Sequence, residues 1–311
     1  MVDFALQIEP QFGFAYEDIR ELAHLCEEVG FASLWCSDHL FLDAESEDRN
    51  CWEAWTTLTG LAVETKTLRL GTLVTCTSYR YPSMLAKIAA CVDAMSGGRL
   101  EFGIGAGWKQ LEYEAYGIPF PPAAERVDRL EEAISIIQAM WTQPSASFEG
   151  RYYQIDNAIC APKPVQQPHP PLWVGGKGRR VLGLAGRVAD GVNFPFHSTP
   201  EEYAQRLELV RAGCREAGRD FDRIKKSQFE FLAVAADSAD LDRLLHQVAG
   251  EAGRTTRQVA ASFDFVTVDQ AVTRLNGFVE LGVDLFQIAF PYQHEAESVR
   301  LMAEHVLPRL A

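Results

Sequence analysis

DFALQIEPQFGFAYEDIRELAHLCEEVGFASLWC, residues 3–36, sets two apolar β-rich runs on either side of an amphipathic stretch. Asp3–Ile8 reads as a strand. Tyr16–Val29 reads as a helix, because Ile19, Leu22, Ala23, Cys26 and Val29 recur at helical spacing. Gly30 stands where a helix C-cap belongs, and residues 31–36 form a second strand. Strands joined through a helix over so short a distance run parallel with a right-handed crossover.

The unit repeats outward from there. Residues 52–65 read as a helix, 68–75 as a strand and Pro82–Met95 as a helix opened by its proline. Residues 99–104 make a fourth strand, followed by a long loop and a helix at 125–141. Residues 148–171 interrupt the pattern with Tyr152-Tyr153 and Ala161-Pro162-Lys163-Pro164, which read as an insertion carrying a hairpin. Strands then follow at 172–174, Gly191–Phe194, 227–235 and 285–290. Helices are read at Arg179–Val188, Pro200–Ala217, 241–249, 270–281 and 295–307. Eight βα units predict an α/β fold, a (β/α)8 TIM barrel forming one domain over 1–311 with an insertion at about 145–170. A doubly wound sheet is disfavoured, since the first βα turn, residues 9–14, lacks the glycine fingerprint of such nucleotide sheets.

With 311 residues, 47% of them hydrophobic and 23% charged, the chain has the material for one large core. No apolar run reaches the ~18 residues a membrane span needs, and the first ten residues lack a basic leader, so a cytoplasmic protein is expected. Seven scattered cysteines make no disulfide framework. No CxxC or HExxH spacing appears and the histidines are dispersed, so no metal site is expected. A net charge of −14 argues against nucleic acid and anionic membrane as partners, though not against a small anionic ligand held by local cations.

In a barrel the chemistry sits where strands end. The first strand ends in Gln7 and Glu9, which alternate in register and can face the mouth together. The second ends Ser37-Asp38-His39, an acid beside a histidine, suited to proton transfer near neutrality. The third ends in a hydroxyl-rich run, Thr72 to Thr77, followed by Ser78-Tyr79-Arg80-Tyr81-Pro82. The fourth ends Gly103-Ile104-Gly105-Ala106-Gly107-Trp108, whose glycines permit a flat ligand to approach the backbone. The fifth ends Gly175-Gly176-Lys177-Gly178-Arg179-Arg180 at a helix start, a phosphate cradle of amides and cations.

Together these pieces resemble the bacterial luciferase-like monooxygenase family, and most closely its coenzyme F-420 (8-hydroxy-5-deazaflavin)-dependent oxidoreductase branch. The resemblance is carried by Glu28-Val29-Gly30-Phe31, Ser37-Asp38-His39, Leu70 to Cys76 and Gly97-Gly98-Arg99-Leu100. It continues through Gly103 to Trp108 with Glu112, Tyr116 to Pro121, Pro171 to Gly176, Ala189-Asp190-Gly191 and Gly282-Val283-Asp284. It spans nearly the whole chain in the family's order.

What the resemblance implies is a deazaflavin ring lying among Asp38, His39, Leu73, Val74, Thr75, Cys76, Gly105, Ala106, Gly107, Trp108 and Glu112. The cofactor's phosphate would sit at Gly175, Gly176, Gly178 and Arg179. It also implies a cis peptide at Leu73–Val74 and a homodimer. The reaction expected is hydride transfer between the cofactor's C5 and a small organic substrate, contacted by Gln7, Glu9 and Trp108. His39 and Asp38 are the expected catalytic pair, with Asp38 or a backbone carbonyl orienting the imidazole. Trp108 replaces the carboxylate that sugar-phosphate dehydrogenases of the family carry there, so that substrate is not expected. Residues Phe265-Val266-Thr267-Val268-Asp269 replace the Gly-Thr-Pro turn of many relatives. The alternatives are an FMN-dependent two-component monooxygenase, fed by a separate flavin reductase, and a non-catalytic flavin-binding paralogue.

Overall fold

The computed structural model describes residues 2–310; Met1 and Ala311, the ends of the expected domain, lie outside the described residues. Eight parallel strands close into a barrel: Asp3–Ile8, Ser33–Cys36, Arg69–Thr72, Leu100–Gly105, Leu172–Gly175, Gly191–Phe194, Lys225–Ala235 and Leu285–Ala289. Each pairs with the next in chain order. The last returns to the first through Asp3↔Leu285 to Leu6↔Ile288. The expected (β/α)8 barrel is the observed fold.

Local chemistry accounts for the helices around it. Tyr16–Val29 carries Glu17 and Asp18 in its first turn and stops at Gly30, whose φ of 83° suits glycine. Pro200–Ala217 opens on a capping box, Thr199 with Glu202, and closes on Gly218 at φ 64°. Apolar faces such as Ile19, Leu22, Ala23 and Cys26 pack onto the outside of the barrel, where the main core lies.

Several elements differ from their sequence reading. The third strand, read as 68–75, is divided into Arg69–Thr72 and Thr75–Cys76 by a cis peptide at Leu73–Val74. The loop after the fourth strand holds a six-residue helix, Gln110–Ala115, too short for a periodic signal. A further short strand, Asp264–Thr267, pairs with Leu232–Ala235 on the outer end of the seventh. The closing helix keeps α geometry only over Glu295–Leu301 and widens to a π turn at Met302–Val306, ahead of Pro308. Between the fourth and fifth barrel strands, Ala146–Glu149 and Gln154–Ala158 form an antiparallel hairpin.

The barrel interior is filled by a second apolar cluster, which includes Ala5, Trp35, Leu73, Trp173, Phe229 and Leu285. The Trp35 and Trp173 rings meet edge to face, with centroids 5.6 Å apart at 88°. Each indole lies over a glycine directly opposite on the following strand: Trp35 over Gly71, Trp173 over Gly191. The indole N–H groups are satisfied inside, Trp35 donating to Ser33 Oγ at 2.8 Å and Trp173 to Glu101 Oε2 at 2.6 Å.

A Cβ at Gly71 would stand 2.5 Å from Trp35 Cε3, and that ring has no room to swing. Gly71→Ala is therefore expected to cost about 1–3 kcal/mol through overpacking. Thermal unfolding should register a midpoint several degrees lower. An unchanged midpoint would mean the indole pair yields freely.

Candidate active site

The exits of the second, third and fourth strands are tied together by two buried carboxylates. Asp38 accepts two hydrogen bonds from Arg80, at 2.7 and 2.8 Å, and one from the Cys76 N–H at 2.9 Å. Arg80 also pairs with Glu53 at the start of helix Ala54–Glu64. Asp38 is thus spent on Arg80, and not on His39 as expected.

The partner of His39 is Glu112, which stands on the helix Gln110–Ala115. His39 Nδ1 lies 3.0 and 3.1 Å from the two Glu112 oxygens. Glu112 also accepts from the Leu40 N–H at 2.9 Å, from Tyr79 Oη at 2.6 Å and from Lys109 Nζ at 3.1 Å. Its side chain is fully buried and engaged by groups from three strand exits. Burial by itself would raise its pKa. The bonds from His39, Tyr79 and Leu40 more than offset that and bring it down to about 2. A carboxylate on Nδ1 fixes the proton there and leaves Nε2 as the reactive nitrogen. The His39 ring stays partly open and meets Trp108 edge to face, with centroids 5.7 Å apart at 84°. Trp108 itself is 70% exposed, free to lie against a ligand.

Glu9 presents the opposite electrostatics. It is buried with amides and a hydroxyl as partners: Gln7 at 2.9 Å, Gln11 at 2.5 Å and Ser37 at 3.1 Å. Burial pushes its carboxyl up, against the opposing effects of His39 and those hydrogen bonds. Gln7 turns its Nε2 to Glu9, and its buried Oε1 has no partner.

Around the third strand's cis bond, Val74 fills a notch cut by glycines. A Cβ on Gly105 or on Gly175 would come within 2.7 Å of a Val74 methyl, and one on Gly103 would meet the Thr72 carbonyl. The missing side chains at Gly103, Gly105 and Gly175 therefore admit the third strand. Thr75 is also turned inward: its hydroxyl donates to Thr72 at 2.9 Å and accepts from Trp55 Nε1 at 3.2 Å. Cys76 lies 2.9 Å from Tyr113 Oη, and burial pushes its thiol up to about 12. Gly107, at φ 74°, leaves room for that pair. Of this group, Trp108 is exposed and Val74, Ala106 and Gly107 are partly exposed, whereas Leu73 is buried in the interior cluster.

Gly176, Gly178 and Arg179 lie at the fifth strand's exit, three strands on from the one that ends at His39. Helix Arg179–Val188 begins at Gly178 with no side-chain cap on its first amides. Lys177 and Arg179 are exposed and have no ion-pair partner among the described residues, whereas Arg180 is paired with Asp128. Open space surrounds Gly178. Uncapped amides and two spare cations in an acidic chain fit a phosphate.

Sequence reasoning missed Arg80, Tyr79, Lys109 and Tyr113. Tyr79 and Arg80 stood in the quoted strand exit, but only the fold brings them to carboxylates 33 and 42 residues away. Among the described residues no group of three His, Cys, Asp or Glu could hold a metal.

The model of the luciferase-like monooxygenase family matches residues 4–302. An F-420-dependent glucose-6-phosphate dehydrogenase of Microbacterium testaceum is 28% identical, across 96% of this chain and 94% of its own. An F-420-dependent hydroxymycolic acid dehydrogenase of Mycobacterium tuberculosis is 33% identical, across 70% of this chain and 59% of its own. A solved F-420-dependent secondary alcohol dehydrogenase, in complex with an F-420–acetone adduct, superposes with a TM-score of 0.83 at 21% identity, covering 100% of this chain and 99% of that one. That last likeness speaks for the fold.

The ionised Glu112 makes a stability prediction. Its contribution is complete above the ordinary value of 4.5 and is lost as pH falls toward about 2. Glu112→Gln should be less stable than the wild type at pH 7 by about 2–4 kcal/mol. Denaturant unfolding at a series of pH values should find that gap closing between about pH 5 and pH 2. A gap that stays constant with pH would contradict an ionised Glu112.

Proposed function

Since this chain belongs to the luciferase-like monooxygenase family, we propose that it is a coenzyme F-420-dependent oxidoreductase transferring a hydride between the cofactor's C5 and a small organic substrate. The observation that carries the reading is the span of its relatives: a protein named as F-420-dependent matches nearly end to end. The barrel mouth has the parts such a reaction needs.

Bound deazaflavin supplies a two-electron hydride carrier at C5. Leu73, Val74, Ala106, Gly107 and Trp108 form the surface on which its ring rests. The amides after Gly178, with Lys177 and Arg179, hold its phosphate. His39 is the acid/base residue: with Nδ1 engaged by Glu112, Nε2 gives or takes the proton on the substrate oxygen as the hydride arrives or leaves. The Glu112 charge stabilises the imidazolium formed on the way. Glu9 and Gln7 offer hydrogen bonds to substrate beside His39, and burial favours the uncharged form of Glu9. Asp38 serves by holding Arg80 and the Cys76 backbone in place.

The chain acts as one domain, with the 146–158 hairpin as an insertion. It works as a homodimer in the cytoplasm. Met84, Ile88, Cys91 and Met95 form an outward, incompletely buried apolar row on helix Pro82–Met95, beside exposed Val63 of the neighbouring helix. That row suits a second copy. All seven cysteines are free, as a reducing compartment keeps them.

Titration of the cofactor-free protein with oxidised coenzyme F-420 and with FMN, followed by fluorescence, tests the cofactor. Selective F-420 binding is expected; preference for FMN together with oxygen consumption would move the protein to the monooxygenase chemistry of its family. His39→Ala should remain folded at assay temperature, though with a lower midpoint because Glu112 loses a partner, bind F-420 normally and turn over at least about tenfold more slowly. Wild-type turnover in that variant would remove His39 from the reaction.

A further inference from the structure

The exits of the sixth, seventh and first strands are lined with phenylalanine. Phe12 comes from the turn after the first strand, Phe196 from the loop after the sixth, Phe229 and Phe231 from the seventh strand, and Phe263 from the segment beyond it. Phe229 and Phe231 point the same way because they are two residues apart on a strand. Phe196 packs edge to face on both, at centroid distances of 5.5 and 4.8 Å. Phe231 meets Phe263 at 5.4 Å and Phe12 at 6.5 Å. Phe229 and Phe231 also belong to the interior cluster that contains Leu73 and Val74, so this wall is continuous with the surface around the cis peptide.

A patch meant only as core would be sealed. Here Phe196 is 42% exposed, and Phe12 and Phe231 are only partly buried. Among the described residues no Lys or Arg sits over any of the five rings. The nearby Arg274 is held by Glu230 at 2.7 Å and Asp264 at 3.0 Å. Arg80 and Lys109, across the mouth, are likewise held by Asp38 and Glu112. His197, whose ring meets that of Phe196 at 5.0 Å, faces Asp264 at 3.9 Å. A phosphorylated or carboxylated substrate would have to dehydrate its anion against this wall with no uncommitted Lys or Arg among the described residues there.

We infer that this wall is the substrate-binding face and that the substrate is an uncharged, apolar ketone or the corresponding secondary alcohol, with the phenylalanines gripping its hydrocarbon part. This rests on the oxidoreductase reading above. In the reducing direction the carbonyl carbon gains a hydride from reduced F-420 and the oxygen gains a proton, giving the alcohol and oxidised F-420; oxidation is the reverse. The apolar body lies on Phe196 and Phe231, and the oxygen points to His39.

The test uses the F-420-loaded enzyme with acetone, cyclohexanone and acetophenone under reducing conditions, and with glucose 6-phosphate under oxidising conditions. KM is expected to fall along the ketone series, with no turnover of the sugar phosphate. Phe196→Ala, at an exposed position, should raise the acetophenone KM about tenfold and leave F-420 affinity unchanged. Phe196→Leu should restore most of it. Independently of turnover, acetophenone should raise the melting midpoint of wild-type protein more than that of Phe196→Ala, with or without coenzyme. Loss of F-420 binding with that melting difference intact would defeat the cofactor reading and keep the wall. A KM blind to apolar size, preference for glucose 6-phosphate, or equal melting shifts in the two proteins would overturn the inference.

Discussion

A carboxylate taken out of water must recover its lost hydration from the protein, and Glu112 does so by drawing on three separate strand exits. His39 and the Leu40 N–H come from the second, Tyr79 from the third and Lys109 from the fourth. None of those groups would otherwise have reason to converge. Asp38 adds a second tie, from the second exit to Arg80 and Cys76 of the third. Removing one partner of such a buried charge costs more than the pair contributes, because the remaining charge is stranded. The mouth is therefore rigid on this side, and a rigid imidazole is what a proton transfer requires.

The same physics separates Glu112 and Glu9 in function. Glu112 is surrounded by donors, one of them cationic, and stays charged far below the ordinary carboxylate range. Glu9 is surrounded by amides and a hydroxyl, and burial prevails. With His39 lying between these environments, one carboxylate is suited to balance a positive ring, while burial draws the other toward its uncharged form. Carboxyls driven apart in this way are how one site divides acid and base roles at neutral pH.

The fold was legible because periodicity is a local property. Tyr16–Val29, Pro82–Met95 and Pro200–Ala217 were bounded to the residue by their prolines, glycines and apolar spacing. The failures were short or non-local. Gln110–Ala115 has too few turns to show a period, yet it carries Glu112. Adjacent Asp38 and His39 suggested a pair, but consecutive residues at a strand exit diverge, and each found a partner dozens of residues away. The glycines at 103, 105 and 175 were visible as small; that Val74 of a neighbouring strand occupies the space could be read only from the assembled barrel. The phenylalanine wall drew on four separate segments, of which only Phe229 and Phe231 share a strand.

A net charge of −14 would seem a poor setting for a phosphorylated cofactor, yet distance decides otherwise. Exposed charges are screened over about 8 Å at physiological salt, so most of that acidity is not felt at any one site. What an anion at the fifth strand's exit meets is local: the uncapped amides of helix Arg179–Val188, with Lys177 and Arg179 not committed to any carboxylate among the described residues. Elsewhere around the mouth the cations Arg80, Lys109 and Arg274 are all committed. The chain thus leaves positive charge uncommitted at the fifth strand's exit and lines the exits from the sixth round to the first with aromatic carbon. That division is a physical reason for an anionic cofactor and an uncharged substrate to enter the same barrel without competing for the same place.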